Sequence, residues 1–586
     1  MPQMTLQQAI DQAVGHHRAG QIREAESHYR QILAQSPDNA AVLHMLGVLL
    51  AQKGSRDEAV TLISRAVQAD PSQAAYRANL GNVLQESGRG VEAIVEYRRA
   101  LTLAPNSPDI YNNLGNALQL TGDAASAIPA YQDALKLRPD FVEAQFNLAN
   151  AYTNVGAHKE AIDAYLAAIR FRPNYPEAYL NLGIAFSKAG DLVNALAANQ
   201  KALQLRHDWP EASKNLGQVL EQLGRYNDAV AAYSQAIALS PANAEMWLEM
   251  GNALRQTGRL QESVDAYQRA ISIQPNYADA HYGLAWSLLL QGDLQPGFRE
   301  YEWRHRLSEA QAAGVRPLRS PQWDGSPLGG RRILLQAEQG FGDSLFAIRY
   351  APLIAARGGV VLVQAEPVLR RLLVSQPGVS HVLGNDESVS ELSLQCPMMS
   401  LPKIFDTSLE TLTCGVPYIL PQSTSVARWR RRLEKVGAIG RPNVGLAWAG
   451  RPTPRGRSIP FHLLGDLLLD QRIQFHSLQK GEAVLEAAAS RLMNWDARLI
   501  DFADTAALIA NLDLVITIDT AVAHLAGAMG KPTWLLLQYA ADWRWFHGRT
   551  DSPWYPTMRI FRQPMPGDWP GVVRAVAAAL KIKFAS

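Results

Sequence analysis

The chain carries the segment AAYRANLGNVLQESGRGVEAIVEYRRALTLAPNS (residues 74–107), followed directly by PDIYNNLGNALQLTGDAASAIPAYQDALKLRPDF (residues 108–141), and both follow one pattern of 34 residues. Three series of residues recur at this spacing or at twice it: prolines (Pro37, Pro71, Pro105, Pro139, Pro173, Pro241, Pro275), glycines (Gly54, Gly88, Gly122, Gly156, Gly190, Gly224, Gly258, Gly292) and alanines (Ala66, Ala100, Ala134, Ala168, Ala202, Ala236, Ala270). Three series in phase indicate a true internal repeat.

Each unit predicts two helices. A leucine-glycine pair in the first helix (Leu46-Gly47, Leu80-Gly81, Leu114-Gly115, Leu182-Gly183, Leu216-Gly217) lets the second helix approach closely. The later glycine suits the end of the first helix, and the proline stops the second. Units are expected to begin near residues 40, 74, 108, 142, 176, 210, 244 and 278, after one degenerate unit. The pattern resembles the tetratricopeptide repeat, which implies an all-α superhelix with a concave groove over residues 1–310.

One polar position recurs within the first helices. It holds Asn79, Asn113, Asn147, Asn181 and Asn215, and a second set lies three residues later at Asn82, Asn116, Asn150 and Asn252. Residues three apart share a helix face, and an amide can pair with any peptide backbone. We therefore expect the first set to bind an extended polypeptide segment, which the following resemblance implies is that of an acceptor protein. The stripe resembles the asparagine ladder of O-linked N-acetylglucosamine transferase; the alternative is that these amides bond to neighbouring repeats or to water.

The second half of the chain has a different organisation. After a loop rich in proline and glycine, strands alternate with helices: RRILLQ (331–336), a helix over 344–358, and VVLVQAE (360–366) form one β-α-β unit, and residues 513–537 form another. The predicted divisions are a linker (311–330), a first Rossmann-like lobe on the acceptor side (331–430) and a second on the nucleotide-sugar side (431–586). Ligands of such folds bind at the carboxyl ends of the strands.

The segment ITIDTAVAHLAGAMGKP (516–532) is the strongest chemical signal. Asp519 and Thr520 lie where a strand passes into a helix whose N-terminus can bind an anion, and His524 follows one turn later. The segment resembles the nucleotide-sugar site of bacterial heptosyltransferases, which have the two-lobed glycosyltransferase-B fold. That resemblance implies that Asp519, Thr520 and His524 contact the donor diphosphate. The alternative is that Asp519 and Thr520 only cap the helix and that His524 packs in a neutral pocket.

The segment GFGDSLFA (340–347) resembles the same family. The resemblance implies that Gly340 and Gly342 form part of the nucleotide-sugar site and that Asp343 is the general base that deprotonates the acceptor hydroxyl. The alternative is that Asp343 only caps a helix beginning at Ser344.

Basic and aromatic residues supply further candidates. Arg457 lies where heptosyltransferases carry a phosphate-binding lysine, and Lys480 is a second phosphate candidate. Arg451 and Arg455 are secondary candidates in the same loop, and simple solvation is the alternative for all of these residues. Three tryptophans (Trp543, Trp545, Trp554) are expected to close a seam, with stacking on a base or sugar as the alternative.

Composition limits the other classes of function. A formal net charge of +2 argues against a protein that binds nucleic acid through a broad basic surface. Two cysteines in 586 residues favour a reducing compartment. No signal-peptide or membrane-spanning run occurs, so a cytoplasmic location is expected. No Asp-x-Asp triplet occurs, and we expect neither a metal nor a cofactor beyond the nucleotide-sugar co-substrate.

The whole chain resembles a bacterial family that joins tetratricopeptide repeats to heptosyltransferase-like lobes, and it is similar to flagellin-modifying transferases. The resemblance implies a metal-independent glycosyltransferase that moves a sugar to a serine or threonine hydroxyl of a protein, flagellin being one example, recruited by the repeats. One alternative is an enzyme acting on lipopolysaccharide or another glycan. A second is a non-catalytic repeat adaptor that keeps the transferase scaffold.

Overall fold

The computed structural model describes residues 5–307, 321–338, 340–384, 387, 392–413, 415–438, 440–451, 456–488 and 490–585. Its contacts divide the chain into two compact units, Met1–Pro241 and Ala242–Ser586. The first unit consists of helical repeats. The second unit contains the remaining repeats and two parallel sheets.

Paired helices build the first unit. They are α1 (Leu6–Arg18) with α2 (Ile22–Gln35), α3 (Ala40–Gln52) with α4 (Arg56–Ala69), α5 (Ala74–Glu86) with α6 (Gly90–Leu103), α7 (Pro108–Leu120) with α8 (Ala124–Leu137), α9 (Val142–Asn154) with α10 (His158–Phe171), α11 (Pro176–Lys188) with α12 (Leu192–Leu205), and α13 (Pro210–Gln222) with α14 (Tyr226–Leu239). From α3 onwards, each first helix begins at the predicted residue. The glycine after each first helix has a positive φ, for example 85° at Gly54, which favours glycine because it has no Cβ.

The leucine-glycine pairs act as predicted. A Cβ on Gly81 would lie 2.7 Å from the ring of Tyr97, and one on Gly115 would lie 2.5 Å from the ring of Tyr131. Both tyrosines are fully buried. At Gly81 and Gly115, a side chain would force the tyrosine ring of the second helix to move.

The second unit starts with the last repeats. Its helices here are α15 (Ala244–Gln256), α16 (Leu260–Ile273), α17 (Ala278–Gln291) and α18 (Leu294–Tyr301), followed by a 3-10 turn (Glu302–Arg306). Arg304 is buried in this turn and donates to the carboxylates of Glu302 (2.6 Å) and Glu338 (2.9 Å). This network ties the end of the repeats to the first lobe.

A four-stranded parallel sheet, with strand order β3-β2-β1-β4, forms the first lobe. Its strands are β1 (Arg332–Gln336), β2 (Val360–Gln364), β3 (His381–Leu383) and β4 (Leu394–Pro397). The helices around it are α19 (Phe341–Ala347), α20 (Ala351–Ala356), α21 (Pro367–Leu373) and α22 (Leu401–Ile404). The next helix, α23 (Ser423–Lys435), packs on residues 502–510 of the second lobe. The predicted linker lies partly outside the described residues. Its described end packs on this sheet, where Trp323 is 1 % exposed and donates its backbone N–H to Gln395.

The helix expected over residues 344–358 was predicted incorrectly. It starts earlier, at Phe341, and a 3-10 turn (Ile348–Tyr350) separates α19 from α20. Pro352 lies in the first turn of α20, and because proline has no N–H it cannot continue the helical bonding back to Ile348. As a consequence, Asp343 lies inside the first turn of α19 and does not precede the helix.

A five-stranded parallel sheet, with strand order β6-β5-β7-β8-β9, forms the second lobe. The strands are β5 (Asn443–Ala447), β6 (Gln474–Ser477), β7 (Leu514–Ile518), β8 (Thr533–Leu537) and β9 (Met558–Arg562), and the helices are α24 (Gly465–Leu468), α25 (Phe502–Ala510), α26 (Ala521–Ala528) and α27 (Trp569–Lys583). Every residue of β7 and β8 is buried, as expected of parallel strands covered on both faces. Arg371 of the first lobe pairs with Asp501 and Asp504 of the second at 2.6 Å.

Candidate functional site

The carboxyl end of the central strand β7 forms one side of the candidate site. The strand ends at Ile518, and α26 starts at Ala521 with Thr520 as its N-cap residue. The Thr520 side chain makes no capping hydrogen bond, and its Oγ1 lies 3.3 Å from Oγ1 of Thr517. The first N–H groups of a helix have no partner within that helix. This end of α26 can therefore bind an anionic group.

Asp519 and Arg457 meet at the same place. Nη1 of Arg457 lies 3.3 Å from the carbonyl oxygen of Asp519, to which it donates. Burial, followed by the nearby carboxylate of Asp542, raises the pKa of Asp519 from 3.8 to about 6, while Arg457 opposes the rise. The structure thus brings Arg457, Asp519 and Thr520 together at one end of the second sheet.

Asp343 reaches this region from the first lobe. One carboxylate oxygen accepts the backbone N–H of Gly340 at 3.0 Å, and the other accepts from Nη2 of Arg544 at 2.5 Å. The Arg544 side chain also pairs with Asp542 at 2.9 Å, so its guanidinium lies between a carboxylate of each lobe. Gly340 is the N-cap residue of α19, and its role here is to hold Asp343 through the main chain.

The ionisation of Asp343 depends on these partners. Burial raises the pKa of its carboxyl group, whereas Arg544 and the Gly340 N–H act to lower that pKa. Arg544 is 6 % exposed. Sequence reasoning missed this arginine, because nothing in DWRWF (542–546) distinguishes a buried guanidinium from a solvated one; the dense aromatic residues on either side were the available signal.

His524 lies in the seam between the lobes. Its ring is buried, its Nδ1 is 2.9 Å from the hydroxyl of Tyr555, and it stacks on Trp545 with 5.1 Å between ring centroids. A Cβ on Gly342 would lie 2.8 Å from the His524 ring, so the lobes meet closely here. Burial lowers the pKa of His524 well below its ordinary value, with Arg544 and Arg349 acting in the same direction. The geometry favours packing of a neutral imidazole, and donor contacts of His524 and Gly342 stay predictions.

The remaining basic candidates make other contacts. Lys480 forms an ion pair with Asp496 at 2.8 Å and also donates to its carbonyl oxygen at 2.7 Å. The guanidinium of Arg451 lies 6.0 Å from the centre of the Phe341 ring. Arg455 lies outside the described residues. The contacts of Lys480 do not join it to Asp343 or Asp519 within the described ranges, so its phosphate role stays a prediction.

The three tryptophans of the C-terminal segment are fully buried, as expected of seam residues. Trp554 packs edge-on against Phe346 of the first lobe at 4.7 Å between centroids, and Trp543 against Phe298 of α18 at 5.4 Å. This aromatic seam packs on the guanidinium of Arg544, which lies 4.3 Å from the centre of the Trp543 ring and 5.3 Å from that of the Phe346 ring. The Asp343 side chain remains 15 % exposed.

In the repeats, the two sets of asparagines bond to each other. Nδ2 of Asn113, Asn147 and Asn181 donates to Oδ1 of Asn82, Asn116 and Asn150 respectively, at 3.0 to 3.1 Å. The same three oxygens accept the hydroxyls of Tyr97, Tyr131 and Tyr165 at 2.6 to 2.7 Å. Asn79 instead contacts His44 at 2.8 Å, and Asn215 is half-buried on α13. The amide N–H groups therefore cross-link neighbouring repeats, which is the alternative stated above, and peptide binding stays a prediction.

Comparison with known proteins identifies the second lobe. Residues 471–545, which span β6 to β8 and the first part of the aromatic segment, match glycosyltransferase family 9 (heptosyltransferase). The chain carries a glycosyltransferase family 9 domain. This match confirms the predicted glycosyltransferase domain, and the matched residues include the Asp519–His524 segment and three strands of the second sheet. The two parallel α/β sheets agree with the predicted two-lobed fold.

Other matches lie in the repeats that precede the glycosyltransferase domain. Residues 16–82 match a tetratricopeptide repeat family, residues 86–122 match a TPR repeat family, and residues 106–316 match the C-terminal domain of cilia and flagella-associated protein 70. The predicted repeat class is therefore confirmed. Among the helices of the described ranges, none is both long and apolar enough to cross a membrane.

One curated relative is Protein FlbA of Caulobacter vibrioides (strain ATCC 19089 / CIP 103742 / CB 15), which is 30 % identical over 335 residues. The matched region makes up 51 % of this chain and 54 % of FlbA, so the chain spans about half the length of this relative. Among solved structures, MamA is 26 % identical (29 % of this chain, 94 % of MamA, TM-score 0.28). YrrB, described as a TPR protein with an unusual peptide-binding site, is 23 % identical (31 % of this chain, 95 % of YrrB, TM-score 0.29).

Proposed function

We propose that the protein transfers a sugar from a nucleotide-sugar donor to a serine or threonine hydroxyl of a protein acceptor that the repeats recruit. The observation that carries this proposal is the pairing of Asp343 with Arg544 across the lobes, next to the open N-terminus of α26. A partly buried carboxylate beside an anion-binding helix end supplies the two groups that sugar transfer needs, a base and a stabiliser of the leaving group.

The bonds, the proton and the charge of the proposed reaction are all accounted for. The acceptor oxygen forms a bond to the anomeric carbon of the donor as the bond from that carbon to the diphosphate oxygen breaks. The hydroxyl proton passes to the carboxylate of Asp343, whose pKa is raised by burial against the opposing effect of Arg544. The negative charge of the released nucleotide is stabilised by the N–H groups that start α26 and by Arg457.

The repeats support a polypeptide as the acceptor. The Oδ1 atoms of Asn113, Asn147 and Asn181 receive no hydrogen bond from any described residue, whereas their Nδ2 atoms are engaged. A row of carbonyl oxygens spaced by the repeat suits the N–H groups of an extended polypeptide. Flagellin is the first acceptor to test, because the sequence is similar to flagellin-modifying transferases.

The proposal is tested by mass spectrometry of surface and flagellar proteins from cells with and without the gene. We expect a protein-linked sugar to disappear with the gene and to return with the wild-type chain but not with Asp343→Asn. That variant removes the base and should slow transfer by about 100-fold or more. Asp140→Asn, an exposed change in the repeats, is the control and should restore the sugar. An unchanged protein glycan profile would overturn the proposal.

A glycan acceptor is the second candidate function, favoured by the match to a heptosyltransferase family. The two candidates differ in what the asparagine ladder does. Substituting the ladder position in two repeats, Asn147→Ala with Asn181→Ala, should reduce transfer to a protein acceptor and leave transfer to a free glycan unaffected.

A further inference from the structure

One cavity lies among the first helices of three consecutive repeats. It has a volume of about 410 Å³ and is lined by Gln119, Asn150, Thr153, Asn154, Tyr165 and Asn181, with Ile184 as its apolar member. Such a volume falls in the range of about 300–1,000 Å³ that is usual for ligand sites. Asn181, a member of the asparagine ladder, is one of the lining residues. The cavity therefore lies on the same helical face as the ladder.

The lining offers both hydrogen-bond donors and acceptors but carries no formal charge. Oδ1 of Asn150 is saturated, because it accepts from Tyr165 (2.6 Å) and Asn181 (3.0 Å). Nδ2 of Asn150 and the whole amide of Asn154 have no partner among the residues that the structure describes. Nε2 of Gln119 donates to the carbonyl of Asn147 at 3.0 Å, which leaves its Oε1 available. A bound group that both donates and accepts would satisfy these atoms.

The repeat pattern changes at the edge of this cavity. The next repeat has Ile184 where Asn150 stands and Asn199 where Tyr165 stands. The hydrogen-bonded set of one tyrosine and two asparagines, present in three consecutive repeats, therefore stops here. The polar row therefore ends at the apolar side chain of Ile184. A polymer bound along the row would meet this end at one position of its own chain.

We propose that this cavity binds one uncharged amide or hydroxyl side chain of the acceptor polypeptide and thereby sets the register of the acceptor on the repeats. This inference rests on the proposed function for the meaning of "acceptor". A polypeptide matches both features, since its backbone N–H groups suit the row of carbonyl oxygens and a single side chain fills the cavity. A charged side chain is disfavoured, because the lining has no counter-charge to replace its water.

The test selects binders from a displayed library of short random peptides with the full-length protein. Wild-type protein should enrich peptides with asparagine, glutamine, serine or threonine at one fixed position. Replacing that residue by lysine or glutamate in a synthetic peptide should weaken binding about tenfold or more by fluorescence anisotropy.

A charge variant sharpens the test. Asn154→Asp places one negative charge in the cavity lining at an exposed position, so it should not disturb folding. It should shift the enriched residue at the fixed position to lysine or arginine. Gln222→Glu is the matched control, since Gln222 occupies the equivalent end of α13 two repeats on and does not line the cavity; it should leave the preference unchanged.

The outcomes separate the two proposals. Enrichment without a positional preference, no enrichment, a preference that Asn154→Asp leaves unaltered, or binding only to an oligosaccharide array would each overturn the cavity assignment. Proteins could still carry the transferred sugar in those cases, and the proposed function would stand. If the peptides bind as expected but no protein receives sugar, the proposed function fails while the cavity assignment is supported.

Discussion

At the scale of single residues, the candidate site is a small network of opposed charges. Arg544 lies between Asp343 and Asp542 in an aromatic seam, and Asp519 lies close enough for Asp542 to raise its pKa. Asp343, Asp519 and Arg457 were predicted from motifs. Arg544 and Asp542 were not predicted, because the network forms only when Arg544 meets Asp343, which lies 201 positions away in the chain.

Removing the Arg544 guanidinium should lower the free energy of unfolding and shift the pH dependence of the transfer rate. Arg544→Met leaves two carboxylates without their buried cation, which should cost about 3–5 kcal/mol in denaturant unfolding. The pKa of Asp343 should rise further, so the acid limb of the transfer rate should move to higher pH. Arg549→Met is the control, because that exposed arginine pairs with Asp551 at the surface and its loss should cost about 1 kcal/mol or less. Equal losses in both variants would contradict the proposed role of Arg544.

Asp519 should make stability fall as pH rises. Its pKa in the folded protein, about 6, lies above its ordinary value of 3.8. The stabilisation from the protonated carboxyl group is therefore fully present below pH 4 and is lost as pH rises towards 6. Asp519→Asn should remove this loss and raise stability at pH 7 by on the order of 2 kcal/mol. Melting temperatures between pH 4 and 7 provide the measurement.

The comparison variant for Asp519 is Asp470→Asn. Arg472 lowers the pKa of Asp470, so this carboxylate contributes stability that is lost as pH falls. Its replacement should alter the acid end of the curve and leave the pH 4 to 6 window largely unchanged. A wild-type protein whose melting temperature rises steadily from pH 4 to 7 would contradict the assignment to Asp519.

At the scale of elements, the two helices of a repeat pack closely where a glycine of the first helix contacts a tyrosine of the second, as Gly115 contacts Tyr131. Gly115→Ala would place a Cβ 2.5 Å from the Tyr131 ring and should destabilise the chain by about 1–3 kcal/mol. Gly15→Ala is the matched control, since nothing lies within 4 Å of its Cβ in the middle of α1. It should stabilise by about 0.5–1 kcal/mol through helix propensity. Thermal melts of the two variants should therefore shift in opposite directions.

At the scale of the whole molecule, the last repeats belong to the same compact unit as the two lobes. Phe298 and Tyr301 of α18 pack on Trp543, and Arg304 neutralises the buried carboxylate of Glu338. A fragment cut at the boundary predicted from composition, 311–586, loses all three partners. It should aggregate or unfold, because the cost of leaving Glu338 unpaired is about 3–5 kcal/mol.

A fragment of residues 242–586 keeps these contacts and should be monomeric and cooperatively folded by size-exclusion chromatography and thermal melting. The same concentration and buffer make the two fragments comparable. A stable 311–586 fragment would show that the seam with α18 does not stabilise the lobes.

The sequence by itself determined the repeat, the starts of its first helices, the β-α-β unit in each lobe, and the two motifs at the strand ends. These features arise from local spacing, since glycine, proline and buried β-branched runs act within a few residues of their position. Only the tertiary structure decided that Arg544 pairs with Asp343, that His524 is buried, that Lys480 pairs with Asp496, and that the ladder amides link neighbouring repeats. Each of these depends on which distant side chain supplies a charge or excludes water, and the packing of lobes and repeats sets that choice.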